Sequence, residues 1–359
     1  MVWCTGEGEL PPAVAAHEVT YAVNPTLPFA RSVRQNVGGP PRLFVVVDTE
    51  EEFDWNAPPS RTARDVTAMR HIARVQTIFD RFALKPTYVI DHPVATQPAG
   101  YEPLLSIYRQ GKCEIGAHIH PWVNPPFSEE VCSRNTFLMN LPTALQEEKL
   151  KVLTEAIEAV IGKAPTVFKA GRYGLGPDTV TLLEAHGYRV DNSVCPRMDF
   201  SSAEGPSFAD FDSSPFMMSN VMMEIPCTVD YVGWAGPLRR LLHSAASHQS
   251  LQSLRGVGIL SKTGAVNRVM LSPEGNTLSE MMALARALVE RGSRALTMSF
   301  HSPSASPGHT PYVRTQQDLD DFLGRIEGFC EFFFGRLNGL PDTMFGFYDR
   351  TISHTGPTA

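Results

Sequence analysis

The sequence predicts an α/β protein built on a parallel sheet, closed into a barrel more readily than divided into two domains. Two observations carry that expectation. Across residues 41–350, apolar runs of strand length alternate with helically spaced segments, six or seven times in one file. Several of those runs also stop abruptly on Asp, Glu, Lys or His, at the strand ends where α/β folds gather their chemistry.

In order along the chain, residues 1–40 hold Pro, Gly and small residues with no sustained period, and are expected to form an N-terminal extension lying on the domain. "RLFVVVDTE" is a continuous apolar run suited to a strand buried on both faces. "ARDVTAMRHIARVQTIFDRFA" has helical spacing and leads to a second strand, "KPTYVID". "EPLLSIYRQG" reads as a helix ending at glycine, before a third strand, "CEIGAHIH". The long amphipathic "LPTALQEEKLKVLTEAIEAVIG" precedes "TVFKAG", and the helical "DTVTLLEAHG" precedes "YRVDNSV". A strand region, "NVMMEIPCTVDYVG", is followed by a basic stretch rich in Ser and Leu to about residue 265. "RVMLSPEG", the helical "TLSEMMALARALVERG" and the strand "ALTMSFHS" come next, and "QQDLDDFLGRIEGFCEFFFGRL" is the last helix expected. Residues 351–359 read as a tail.

Composition excludes several classes. With 43% hydrophobic and 19% charged residues the chain is globular in type. Its net charge of -7 argues against nucleic acid as the main partner, which needs a basic face. No run approaches the length of a membrane span, and the first residues lack the basic and apolar regions of a signal peptide. A cytoplasmic location is therefore expected. The six cysteines, scattered without a C-x-x-C pair, agree with buried free thiols in a reducing compartment.

The strand ends carry the candidate chemistry. "DTEEEFDW" places Asp48, Glu50, Glu51, Glu52 and Asp54 within seven residues, either as a solvated acidic turn or as carboxylates relieved by a bound cation. Asp48 and Glu50, two apart on an extended strand end, are expected to project to one side of the sheet. "HIHPW" holds His118 and His120 in the same relation, with Pro121 favouring an extended His120. "KAGRYGLGP" offers Lys169 and Arg172, either of which could brace a carboxylate. Asp191, in "VDNS", could orient a histidine or serve as a turn residue. His301 ends the apolar run of "LTMSFH" and opens a loop of Ser, Pro and Gly.

From residue 42 to 350 these motifs stand in the order of the polysaccharide deacetylases, the NodB-homology or chitin-deacetylase family, which the chain resembles. It is most similar to a branch typified by "VDTEEEFDW", "GAHIHPWVNPP", "AGRYGLGP" and "SFHSPS…PGHTPYV". The resemblance implies a distorted (β/α)₇ barrel, with Asp48 as general base, Glu50 and His118 as metal ligands, Asp191 as the fourth-motif aspartate and His301 as the late catalytic histidine. It also implies a cation bracing the base, Lys169 or Arg172. Tyr173, Trp122 and Asn124, beside these motifs, are the candidate substrate-binding residues. Two departures stand out. The family spaces its metal histidines H-x-x-x-H, but Trp122 occupies the fourth position after His118, and Lys169 stands where arginine is usual. Strand alternation instead offers His120 as the second metal nitrogen, with His92 and His309 as the next candidates.

The function expected is metal-dependent removal of an acyl group, acetyl first, from an amino sugar or related soluble or lipid-linked precursor, with zinc the default divalent metal. The alternatives are a carbohydrate-binding barrel without catalysis and a metal-independent glycoside hydrolase using two of the acidic residues. The partner expected is the carbohydrate substrate, and the sequence leaves a homo-oligomer open.

Overall fold

The computed structural model describes residues 31–32, 39–233 and 266–354. Most of the N-terminal extension, Cys4, the basic Ser- and Leu-rich stretch and the end of the tail lie outside the described residues. Twelve strands are described: β1 (Arg31–Ser32), β2 (Arg42–Thr49), β3 (Thr87–Ile90), β4 (Glu114–Ile119), β5 (Val167–Ala170), β6 (Val190–Asp191), β7 (Phe216–Met217), β8 (Met223–Glu224), β9 (Val229–Val232), β10 (Asn267–Met270), β11 (Ala295–His301) and β12 (Leu340–Pro341). Between them run α1 (Ala73–Arg81), α2 (His92–Thr96), α3 (Pro98–Arg109), α4 (Thr143–Ile161), α5 (Pro177–Ala185), α6 (Leu278–Glu290), α7 (Gln316–Gly335) and α8 (Met344–His354).

The main sheet runs β1-β7-β8-β6-β5-β4-β3-β2-β11, with β12 paired to the start of β2. From β8 to β11 seven strands are parallel, while β7 and β1 continue the edge antiparallel. The curl does not close into a full ladder. The antiparallel β9–β10 hairpin meets the open edge of β11, where Thr297 N–H donates to Thr228 Oγ1 and Ser299 N–H to the Leu271 carbonyl. This curled, mixed sheet is the distorted barrel that the resemblance implies.

Side-chain alternation sorts the sheet into two faces. On β2, Leu43, Val45 and Val47 join the larger apolar core under the helices, whereas Phe44 and Val46 join a smaller one inside the curl. On β4, Ile115, Ala117 and Ile119 belong to the larger core, so Gly116 and His118 face inward. Val167 on β5, Val190 on β6 and Ala295 on β11 are likewise inward. The inner face is therefore apolar at the strand starts and turns polar at their carboxyl ends, at Asp48, His118, Lys169 and His301.

α8 was absent from the expected elements. "MFGFYDRTISH" mixes glycine and β-branched residues into a weak helical pattern, but Met344 and Tyr348 pack into the inner core, with Phe345 and Phe347 beside them. The helix thus plugs the end of the curl opposite the polar strand ends, and runs past residue 350. The long helices otherwise follow their sequence signals: Thr277–Glu280 and Thr315–Asp318 form capping boxes at α6 and α7. At the end of α4, Gly162 takes a φ of 84°, the left-handed cap that glycine adopts without penalty. The five described cysteines are all free. No described helix is long and apolar enough to cross a membrane.

Candidate active site

Asp48 is the last inward residue of β2, and the parallel register sets it beside His301 of β11. Lys169, inward on β5, donates to both Asp48 oxygens at 2.8 Å. Burial alone would raise the Asp48 carboxyl, but the Lys169 charge and the neighbouring histidines outweigh it and hold it below its ordinary range. Burial works against the Lys169 ammonium too, and the Asp48 charge overcomes it, so the pair stays ionised. Of the two cations offered by "KAGRYGLGP", Lys169 is the one on Asp48. Arg172 is exposed, donates to Thr136 Oγ1 and lies over the Phe137 ring at 4.6 Å. Its left-handed backbone, with a φ of 51°, turns it out of the centre.

β2 ends one residue before Glu50, yet Glu50 is buried and meets both histidines of "HIH". Its Oε2 lies 3.5 Å from His118 Nε2 and 3.5 Å from His120 Nε2, and those two nitrogens are 3.2 Å apart. One ligand atom from each of the three falls within a 4.8 Å sphere of mutual distance. The second Glu50 oxygen, Oε1, is buried with no hydrogen-bond partner. Such an oxygen is costly unless a hydrogen-bond donor or a cation meets it. Two imidazole nitrogens and a carboxylate suit a divalent transition metal, so the residues present fit one. Burial also pulls His120 below its ordinary range, towards the neutral form that ligates. His92 opens α2, and His309 pairs with Glu52 at 2.9 Å, so neither belongs to this cluster.

The acidic stretch is not a solvated turn. Glu51 is fully buried, accepting from the Trp122 indole N–H at 2.9 Å and standing 2.8 Å from His120 Nδ1. Burial raises Glu51 to about 8, and burial with the Glu51 charge raises the neighbouring Asp91 well above its ordinary range. Glu52 caps the turn at residues 67–71 by accepting from Ala68 N–H. Only Asp54 is exposed. A metal on His120 Nε2 requires the tautomer protonated at Nδ1, whose proton Glu51 Oε2, 2.8 Å away, is placed to accept. Glu51→Gln would turn an amide N–H at Nδ1 and favour the opposite tautomer. Metal affinity is expected to fall about 10–100-fold by titration, the usual worth of such a partner.

Backbone proximity adds a second constraint. Gly171 lies directly under His120: a Cβ there would collide with the imidazole and with the Ile119 carbonyl. Gly171→Ala is therefore expected to displace His120 and reduce metal bound per chain, with the fold retained by circular dichroism.

Three expected site residues are corrected by their placement. Asp191 lies on the opposite face of β6 from the inward Val190, in register with the outward Phe168. Its carboxyl accepts from Ser193 N–H and Oγ beside buried Glu224, and it meets no histidine among the described residues. Trp122 is buried, stacked on His120 at 4.3 Å with its indole N–H on Glu51, so the contacts it makes are with the cluster itself. Asn124 is fully buried and donates to the Lys149 carbonyl, fixing the loop after β4. Tyr173 does reach the site: its ring lines a cavity of about 190 Å³ together with Asp48, Glu274, Asn276, His301 and Tyr312.

Glu274 is the residue that the sequence reading missed. Its Oε2 lies 2.7 Å from His301 Nδ1, and its Oε1 accepts the His301 N–H at 3.2 Å and the Ser304 hydroxyl. His301 Nε2 then faces Asp48 Oδ2 at 3.9 Å, with 23% of the side chain open to solvent. Burial would lower His301, but the Glu274 charge, with Glu50 and Asp48 behind it, raises it to about 10. The signal was available: Glu274 follows the apolar "RVML", another acid just past a strand.

The chain has the fold of two solved structures. One is a protein from Mycobacterium smegmatis provisionally named a polysaccharide deacetylase, with a TM-score of 0.50 and 16% identity over 90% of this chain and 94% of that one. The other, from Parabacteroides distasonis, is provisionally named a glycoside hydrolase/deacetylase, with a TM-score of 0.51 and 12% identity over 90% of this chain and 74% of that one. No family model and no curated protein sequence matches the chain. The fold is thus of the polysaccharide deacetylase type, and it carries a buried Glu–His–His cluster with the geometry to hold a metal ion.

Proposed function

We propose that the protein is a metal-dependent hydrolase that removes an N-acyl group, acetyl first, from an amino sugar or related carbohydrate precursor. One observation carries this reading. A carboxylate bonded by Lys169, a histidine paired with Glu274 and an N,N,O ligand set with an orphaned oxygen share the carboxyl ends of the sheet's strands. A divalent metal held by Glu50, His118 and His120, zinc by default, would act as a Lewis acid on the acyl carbonyl and on water.

The protein's own groups do the proton work. Asp48 accepts a proton from the attacking water as its oxygen bonds to the acyl carbon. His301, opposite Asp48, donates from Nε2 to the amide nitrogen as the carbon–nitrogen bond breaks, giving a carboxylate and a free amine. Glu274 orients His301 through Nδ1 and keeps it charged, so that Nε2 carries the proton to be given. Tyr173 lines the cavity beside Asp48, and a backbone N–H near it is the donor assigned to the developing oxyanion.

Glu274→Gln removes the charge that raises His301. The alkaline limb of kcat is expected to move to lower pH, with kcat down about 10–100-fold, part of the worth of a positioned acid. An unmoved limb assigns the proton to another group. Metal analysis of the purified protein, followed by an amine-release screen over N-acetyl sugars, tests the whole reading. Amine release that depends on bound metal supports it, and a metal-free protein with no amine release from any N-acetyl sugar defeats it.

A further inference from the structure

We propose that Glu224 is a positioning residue for this site: its carboxyl shares one proton with that of Asp191, and the pair fixes the end of β5 that carries Lys169. The role rests on the reading of Asp48 as general base, which Lys169 braces.

Parallel register sets Asp191 of β6 beside Glu224 of β8, on the sheet face away from the inward Val190 and Met223. Both side chains belong to residues that are 0% exposed. Asp191 accepts twice from one residue, the Ser193 N–H at 3.0 Å on Oδ2 and the Ser193 hydroxyl at 2.8 Å on Oδ1. Glu224 Oε1 accepts the Val194 N–H at 3.0 Å, while its Oε2 is buried with no donor. The two carboxyls nevertheless lie within hydrogen-bond reach of each other. Two carboxylates so placed, away from water, would repel; one proton between them removes the repulsion and makes Oε2 a donor. Since both Asp191 oxygens already serve as acceptors, Glu224 carries that proton.

A cation is the poorer alternative here, because no third His, Cys, Asp or Glu joins the pair in a ligand cluster among the described residues. Two ionisable neighbours act on the pair: Lys169 from β5, whose charge Asp48 engages, and the Cys227 thiol after β8. On β7 the residue in register with Glu224 is Phe216, which brings no charge. Burial, and then the Asp191 charge, push the Glu224 carboxyl well above its ordinary range.

The pair reaches the site through a single side chain. The Ser193 hydroxyl that donates to Asp191 also accepts the Ala170 N–H at 2.8 Å. The neighbouring Asn192 N–H donates to the Phe168 carbonyl at 3.0 Å, so the strand is held on both sides of Lys169. Lys169 in turn bonds both Asp48 oxygens. One hydroxyl therefore separates the shared proton from the backbone that sets the base and its brace.

The folded chain binds this proton, whereas the unfolded chain releases it above the ordinary glutamate range. Its contribution is thus full in acid and is lost as pH rises through the folded value. The test compares the full chain, metal bound, with Glu224→Gln, whose amide can donate to Asp191 without titrating, and with Glu224→Ala, which cannot donate. The infrared difference spectrum of wild type minus Glu224→Gln at neutral pH is expected to show the carbonyl stretch of one protonated carboxyl. In denaturant, the unfolding constant of wild type relative to Glu224→Gln is expected to rise with pH, towards about tenfold per pH unit. With rates counted per bound metal, Glu224→Ala is expected to lower kcat about tenfold or more at unchanged KM, and Glu224→Gln to recover most of the loss. Should Glu224→Ala not fold, Ser193→Ala, which cuts the link to Ala170, takes its place, and an unchanged kcat there overturns the positioning role. Absence of the band, a ratio flat with pH, or equal kcat in the two Glu224 variants overturns the proposal. A wild type that releases no amine defeats only the hydrolase reading, since the band and the unfolding ratio need no substrate.

Discussion

Asp48→Asn is expected to abolish amine release while the metal stays bound. Asp48 contacts Lys169 through both oxygens and stands 3.9 Å from His301, but it is not among the three residues whose ligand atoms converge. Asparagine keeps the shape and one acceptor for Lys169, and it cannot take a proton from water at neutral pH. A lost general base costs about 10²–10⁴-fold. The exchange also leaves the Lys169 ammonium buried without a counter-charge, so a drop in melting temperature is expected alongside. Metal content separates the two effects: loss of metal together with activity would make Asp48 a ligand, and the division of roles between it and Glu50 would be wrong.

His118→Ala and His120→Ala form the second large effect. Their Nε2 atoms are 3.2 Å apart and each is 3.5 Å from Glu50 Oε2, so neither ring can be spared from a three-residue set. Each alanine is expected to lower metal affinity by more than about 100-fold, beyond the range of an outer partner such as Glu51. Metal bound per chain after dialysis measures this directly. Full occupancy in His120→Ala would mean that the second nitrogen comes from elsewhere and that an H-x-H on an extended strand does not replace the helical spacing.

Much of this arrangement was legible because strand alternation is a local property. The apolar "LFVVV" announces a doubly buried strand, and a period of two carries Phe44 and Val46 inward and on to Asp48. The same count places Gly116 and His118 inward, with His120 next in the series. Asp191 misled for the reason that His118 did not: being polar at a strand end says nothing about which face is used, and the inward residue of β6 is its neighbour Val190. Trp122 and Asn124 misled because the turn after His120 folds back on the cluster, a tertiary event that a motif cannot display. Lys169 and Arg172 could not be told apart until the left-handed turn at Arg172 was known. Glu274 pairs with His301 from 27 residues away, through a loop whose path depends on the β9–β10 hairpin. α8 was hidden because its packing against the inner core, and not its own periodicity, makes it a helix.

The central claim is that Glu50, His118 and His120 hold a metal on which amide hydrolysis depends. Amine release from N-acetyl sugars by the wild-type protein, before chelation, after it and after zinc is restored, tests that claim most directly. The account predicts a rate that vanishes with the metal and returns with it, with free amine and acetate in equal amounts. A rate unchanged by complete metal removal, or new reducing ends in place of free amine, would contradict it and favour a metal-independent glycoside hydrolase.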